Sequence, residues 1–143
     1  MTMIQSSPLL RRALALDAAA CAGMGALLSL AATPLSGLFA LPPELLRGTG
    51  LLLLPCAALL AWLAAPATVP RLAVLAVIGL NLLWVADSLA LLMLGWFAPT
   101  GLGIGFVLLQ AAAVLALTTL EMTGLKRTTS DGPVLATQSG AAS

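Results

Sequence analysis

The sequence predicts an all-α fold: four transmembrane helices running up and down as a bundle, with a short interfacial segment between the first and second. Three observations carry the prediction. The chain is 61 % hydrophobic and 8 % charged over 143 residues, too little polar surface to solvate a globule of that size. Its apolar stretches each approach the ~20 residues that cross ~30 Å of hydrocarbon. Prolines and glycines punctuate the chain between those stretches, where a helix has to stop.

The first helix is expected from about Leu10 to Thr33, stopped by Pro34, which lacks the N–H the helix needs. Leu35 to Leu41, with Ser36, Gly37 and Phe39, is too short to span and is expected to lie in the interface or fold back on the bundle. Pro42-Pro43-Glu44 reads as a helix start, because proline suits the first turn and an acid there faces the positive end of the helix dipole. The second helix then runs from about Pro43 to Ala65, with a kink expected at Pro55.

Pro66 and Pro70 bracket a tight loop. The third helix follows from about Arg71 to Leu94, closed by Gly95-Trp96-Phe97-Ala98-Pro99, an aromatic pair suited to the membrane interface. Thr100 fits the N-cap of a fourth helix from about Gly101 to Leu125, with Lys126-Arg127 behind it. Residues 1–127 thus form one transmembrane domain. From Thr128 to Ser143 the composition turns to Ser, Thr, Gly and Ala, which predicts a disordered tail.

Arg11-Arg12 and the later Ala18-Ala19-Ala20-Cys21 have the outline of a secretion signal. Asp17 interrupts the apolar core such a signal requires, so the segment reads as a retained span. Arg11, Arg12, Arg71, Lys126 and Arg127 flank helix ends on one side, and only Arg47 falls near the other. The positive-inside rule predicts that both termini, and the tail with them, are cytoplasmic.

Composition narrows the chemistry further. The chain has no His and no Tyr, which removes the commonest metal ligand and the commonest general base. Cys21 and Cys56 lie far apart without a Cys-x-x-Cys partner and read as buried thiols. Gly101-x-Gly103-x-Gly105 has no Lys-Ser/Thr behind it and reads as helix packing, like Ala19, Gly23, Gly25, Gly48 and Gly50. No basic run suggests nucleic acid. No catalytic residue, metal site or cofactor is expected, and the partners expected are the bilayer, a second copy of the chain, or another membrane protein.

The polar residues inside the spans therefore carry whatever function there is. Arg47 and Asp87 fall at similar depths on the second and third helices, and an ion pair is the economical way to bury both. Asn81, Trp84 and Ser88 share a stripe of the third helix, with Asp87 at its edge. Asn81 and Gln110 are both near the midplane, where a hydrogen bond between them would tie the third helix to the fourth. Asp17 and Glu121 are expected to pair with Arg12, Arg71, Lys126 or Arg127 reaching in from the interface. Gln110, Val114, Leu117 and Glu121 share one face, so Gln110 and Glu121 can line one cavity, where a carboxyl could carry a proton.

The stretch Asn81-Leu-Leu-Trp84-Val-Ala-Asp87-Ser88, with Gly95-Trp96, Pro99-Thr100-Gly-Leu-Gly103, Gln110 and the closing Leu125-Lys-Arg127, resembles a family of small, uncharacterised four-helix bacterial integral membrane proteins. In layout alone the chain is also similar, more distantly, to DoxX-like proteins. The resemblance implies a four-helix bundle in the bacterial inner membrane and names no catalytic residue. Small multidrug resistance transporters share the helix number and an acid in the first helix. Many of them carry little Lys/Arg bias, whereas this chain is strongly biased, and no counterpart of their aromatic-rich binding face is expected here. The sequence favours an accessory or structural bundle, with a homodimeric proton-coupled carrier of a small solute as the alternative.

Overall fold

The computed structural model describes residues 2–130. In chain order the elements are β1 (Met3–Gln5), α1 (Pro8–Leu30), α2 (Ala32–Phe39), α3 (Pro43–Ala64), β2 (Thr68–Pro70), α4 (Arg71–Met93) and α5 (Gly101–Ser130). The fold is all-α but for one small ribbon. Four of the helices are long and apolar enough to cross a membrane, α5 over Gly101–Thr128, as expected of a multi-pass membrane protein.

Hydrogen bonds at the two ends fix the alternating direction of the helices. At one end β1 pairs antiparallel with β2, with Ile4 opposite Val69. There, too, Ser7 caps α1 by accepting from Leu10 N (3.2 Å) and donates its hydroxyl to Gly124 O of α5 (2.9 Å). The Arg11 guanidinium donates to Ala64 O and Ala65 O, the bare carbonyls and negative dipole end of α3. This is the end that carries Arg12, Arg71, Lys126 and Arg127. At the opposite end, Thr100 caps α5 through Gly103 N (3.1 Å) and binds the end of α2, its hydroxyl donating to Leu38 O and its amide to Phe39 O.

Several boundaries differ from the sequence expectation. The first helix ends at Leu30, before Thr33. A new helix, α2, opens at Ala32 and takes Pro34 into its first turn, where a missing N–H costs nothing. The Leu35 to Leu41 segment is thus mostly helical and folds back against α3 and α5, burying Phe39 and Leu41. Ala40, in the left-handed region at φ 53°, ends it. The helix α3 stays continuous through Pro55.

The last helix runs past Leu125 to Ser130, so the tail expected from Thr128 begins as helix. Thr128 explains the extension: its hydroxyl donates to Gly124 O and accepts the Ser7 amide, tying that turn to the start of the chain. The remainder of the expected tail, 131–143, lies outside the described residues. The three-residue strands were not foreseen, being too short to show an alternating pattern.

Packing around the bundle runs α3–α1–α5–α4. The closest approach is α1 on α3, where Gly25 meets Gly50: a Cβ on Gly50 would stand 2.6 Å from Ser29 N and 2.8 Å from Gly25 O. Gly103 and Gly124 make similar approaches, to Phe39 O and to Leu10, whereas Gly23, Gly48, Gly101 and Gly105 face open space. The helices α3 and α4 do not pack on one another along their length. One apolar core, including Leu10, Leu14, Leu63, Val69 and Val74, seals the basic end. A second, including Leu28, Phe39, Leu46 and Val107, seals the other, with Phe39 stacked on Phe106 at 4.6 Å between ring centroids.

Candidate functional site: a buried acid–amide cluster under a central cavity

The buried seam of α1 runs Leu10, Leu14, Ala18, Gly25, Leu28 at spacings of three, four and seven residues, and Asp17 sits on it. On α5 the buried positions Val107, Ala111, Thr118 and Leu125 include Glu121 on the same stripe. Both acids therefore point into the bundle, at 1 % and 0 % exposure. Asn81 of α4 reaches between them. Its Nδ2 donates to Asp17 Oδ2 at 3.0 Å and to Glu121 Oε2 at 3.2 Å, so the two hydrogens of one amide serve two carboxyls. Cys21 Sγ lies 3.7 Å from Asp17 Oδ1, and Glu121 Oε1 is buried without a partner among the described residues.

At 1.5 Å per residue, Asp17 is about 14 Å from the start of α1 and Asn81 about 15 Å from the start of α4, close to the middle of each span. Among the described residues neither acid forms an ion pair with Lys or Arg. The expected pairing with Arg12, Arg71 or the Lys126-Arg127 pair is thus replaced by the Asn81 bridge. The reason is azimuth: the acids face the seam, while the side chains of Arg12 and Arg71 are exposed on the outside.

Asp17 and Asn81 form part of the wall of a cavity of about 610 Å³ between the two apolar cores. Trp84, Asp87, Gln110 and Phe106 line it too, with Cys21 on α1 and Cys56 on α3. The indole Nε1 of Trp84 is buried and has no hydrogen-bond partner among the described residues. Exposed leucines of α3 and α4, among them Leu52, Leu59, Leu80 and Leu83, rim the cavity where those two helices part, so it opens sideways toward lipid.

Five of the eight polar residues singled out from the sequence, Asp17, Asn81, Trp84, Asp87 and Gln110, meet at this cavity, and Glu121 joins them through Asn81. Two do not. Arg47 is exposed on α3 and forms no ion pair with Asp87, which turns to the cavity mouth instead. Ser88 spends its hydroxyl on Trp84 O of its own helix at 2.7 Å. The expected Asn81–Gln110 bond is also absent: Asn81 is committed to the acids, and Gln110 is half-buried on the cavity wall.

The two cysteines, expected as separate buried thiols, are half-buried and both line the cavity. Taking Gly25 and Gly50 as the crossing of the α1–α3 hairpin would have placed Cys21 opposite Cys56, and this was the available signal. Among the described residues no cluster of three or more metal-ligating side chains occurs. The chain matches no family model, no characterised protein and no solved structure.

Proposed function

We propose that this protein is a proton-coupled carrier of a small solute, with the Asp17–Asn81–Glu121 cluster as its proton-binding site. One observation carries the reading: two carboxyls on different helices share a single amide at mid-span, with no cation among their partners. In a low-dielectric interior the arrangement is charge-balanced only when protons or a cation occupy it. Asp17 touches the cavity and Glu121 stands behind it, so a proton exchanged with the cavity passes through Asp17. The carboxyls act here as binding groups, not as catalysts.

The basic end and the resemblance to four-helix bacterial proteins favour the inner membrane, with both termini cytoplasmic. Four helices from one chain offer a short pathway, and a homodimer fits the carrier role. A second reading, the accessory bundle, is favoured by α4: of its residues only Val74, Val77 and Ile78 are buried, which leaves a broad apolar face for another membrane protein.

Carbodiimide labelling in native membranes separates the two. The reagent adds to protonated carboxyls in apolar surroundings, and mass spectrometry maps the adduct. The carrier reading expects an adduct on Asp17 or Glu121 that declines as pH rises from 5 to 9. If neither acid reacts until the bundle is denatured, it holds no exchangeable proton and the accessory bundle stands.

A further inference from the structure

We infer that the cavity takes an amphipathic organic cation, admitted from the lipid between α3 and α4. This rests on the proton-coupled reading and names its substrate class. The first support is charge. The cavity lining has two carboxyl groups, Asp17 deep inside and Asp87 at the mouth, and no Lys or Arg. Arg47, the cation closest to Asp87 in expected depth, is turned away on the exposed side of α3.

The second support is shape and surface. A volume of about 610 Å³ falls within the ~300–1,000 Å³ usual for small-molecule sites. Contrary to the sequence expectation of no aromatic binding face, Trp84 and Phe106 both stand in the lining, and aromatic rings attract a desolvated cation. Leucines and alanines make up most of the remaining wall, so a strongly hydrated metal ion or a small polar ammonium would lose its water for little return. An apolar body carrying one diffuse positive charge satisfies both surfaces. The lateral opening suits it, since such molecules concentrate in the bilayer.

The third support is the unspent bonding capacity in the cluster. Glu121 is 0 % exposed and its Oε1 has no partner among the described residues. When a cation settles beside Asp17, it takes the place of that carboxyl's proton in neutralising the charge, while Glu121 keeps its own. One positive charge enters and one proton leaves, so charge and mass balance without any further reactant. The titratable and polar groups that face this exchange are Asp17 and Cys21 on α1, Cys56 on α3, Asn81 and Asp87 on α4, and Gln110 and Glu121 on α5.

The test uses full-length protein in lipid nanodiscs, with Trp62→Phe and Trp96→Phe so that Trp84 is the sole reporter. Tetraphenylphosphonium is the probe, and tetraphenylborate, similar in shape and opposite in charge, is the control. The inference expects quenching of Trp84 by the cation and not by the anion. Proton release should reach about one per cation bound, with affinity rising about tenfold per pH unit while that proton is displaced. Asp87→Asn, at the exposed mouth, should weaken the cation several-fold and keep the fold. Asp17→Asn should abolish both binding and proton release.

Equal binding of cation and anion, or no quenching by the cation while carbodiimide still labels Asp17 or Glu121, overturns the cation and leaves the proton site. Cation binding without proton release supports the cation site and overturns the proton coupling.

Discussion

Replacing Asn81 by Ala removes one side chain and two hydrogen bonds, at 3.0 and 3.2 Å, from two acids that have almost no other donors. Interhelical hydrogen bonds in membranes contribute about 0.6 to 2 kcal/mol each, so the pair comes to roughly 1–4 kcal/mol. The upper half of that range applies if the acids, left without a donor, keep their charge. The assay is reversible unfolding in mixed detergent micelles at pH 8, followed by Trp84 fluorescence and helicity. A double-mutant cycle with Glu121→Gln isolates the coupling. The Asn81→Ala cost should shrink by ~1 kcal/mol or more in the Glu121→Gln background, where one of its two acceptors is already neutral. A single-mutant cost below about 0.5 kcal/mol, or strict additivity of the two changes, would refute the bridge.

Gly124→Ala should loosen α1 from α5, because the new Cβ would stand 2.7 Å from Leu10 N and 2.8 Å from Leu10 Cα, neither of which can swing aside. The expected loss is about 1–3 kcal/mol in the same unfolding assay, against under 0.5 kcal/mol for Gly48→Ala in open space. A short bis-maleimide should join Cys21 to Cys56 within one chain, seen as a single mass shift with no dimer, and an occupied cavity should slow the reaction. Thr100→Val should cost about 1 kcal/mol and raise amide exchange at Gly103 and in the Leu38–Ala40 turn, since that hydroxyl serves both. Asp17→Leu, Asn81→Leu and Glu121→Leu together should unfold no more easily than the parent while losing carbodiimide labelling and cation binding.

Depth was legible in the sequence and azimuth was not. Acids interrupting apolar stretches marked Asp17 and Glu121 at once, and proline and glycine punctuation placed α3 and α4 to within a residue. Sequence pairing then matched opposite charges at similar depth, which proposed Arg47 with Asp87 and the acids with the interfacial basic residues. Each of those cations lies on the outward face of its helix. The amphipathic signal that would have shown this is faint, because lipid and core are both apolar and leucine occupies either side. Of the small residues expected as packing positions on α1, only Gly25 lies on the seam that holds Asp17; Ala19 and Gly23 are exposed. The Ala31 break escaped notice because Pro34 is tolerated in a first turn, and the Thr128 extension because its cause lies in Ser7, far away in sequence.

The cost of the cluster bears on why it exists. A carboxyl at mid-span opposes insertion by about 2.5–3.5 kcal/mol, and this chain places two there, together with an amide from a third helix. Above and below that level the same seams are filled with Leu, Ala and Val, which hold α1, α5 and α4 together without any such penalty. Buried polar clusters can be exchanged for apolar residues with little loss of stability, and often with a gain. Packing therefore does not explain why three spans each contribute a polar side chain at one depth, beside a large cavity between the two cores. The proposed ligation of a proton would. A site that must accept a proton and release it needs acids held by a neutral donor and free of fixed cations, because an Arg or Lys partner would keep them permanently ionised. Asn81 meets that requirement, and the exposed placement of Arg12, Arg47 and Arg71 preserves it.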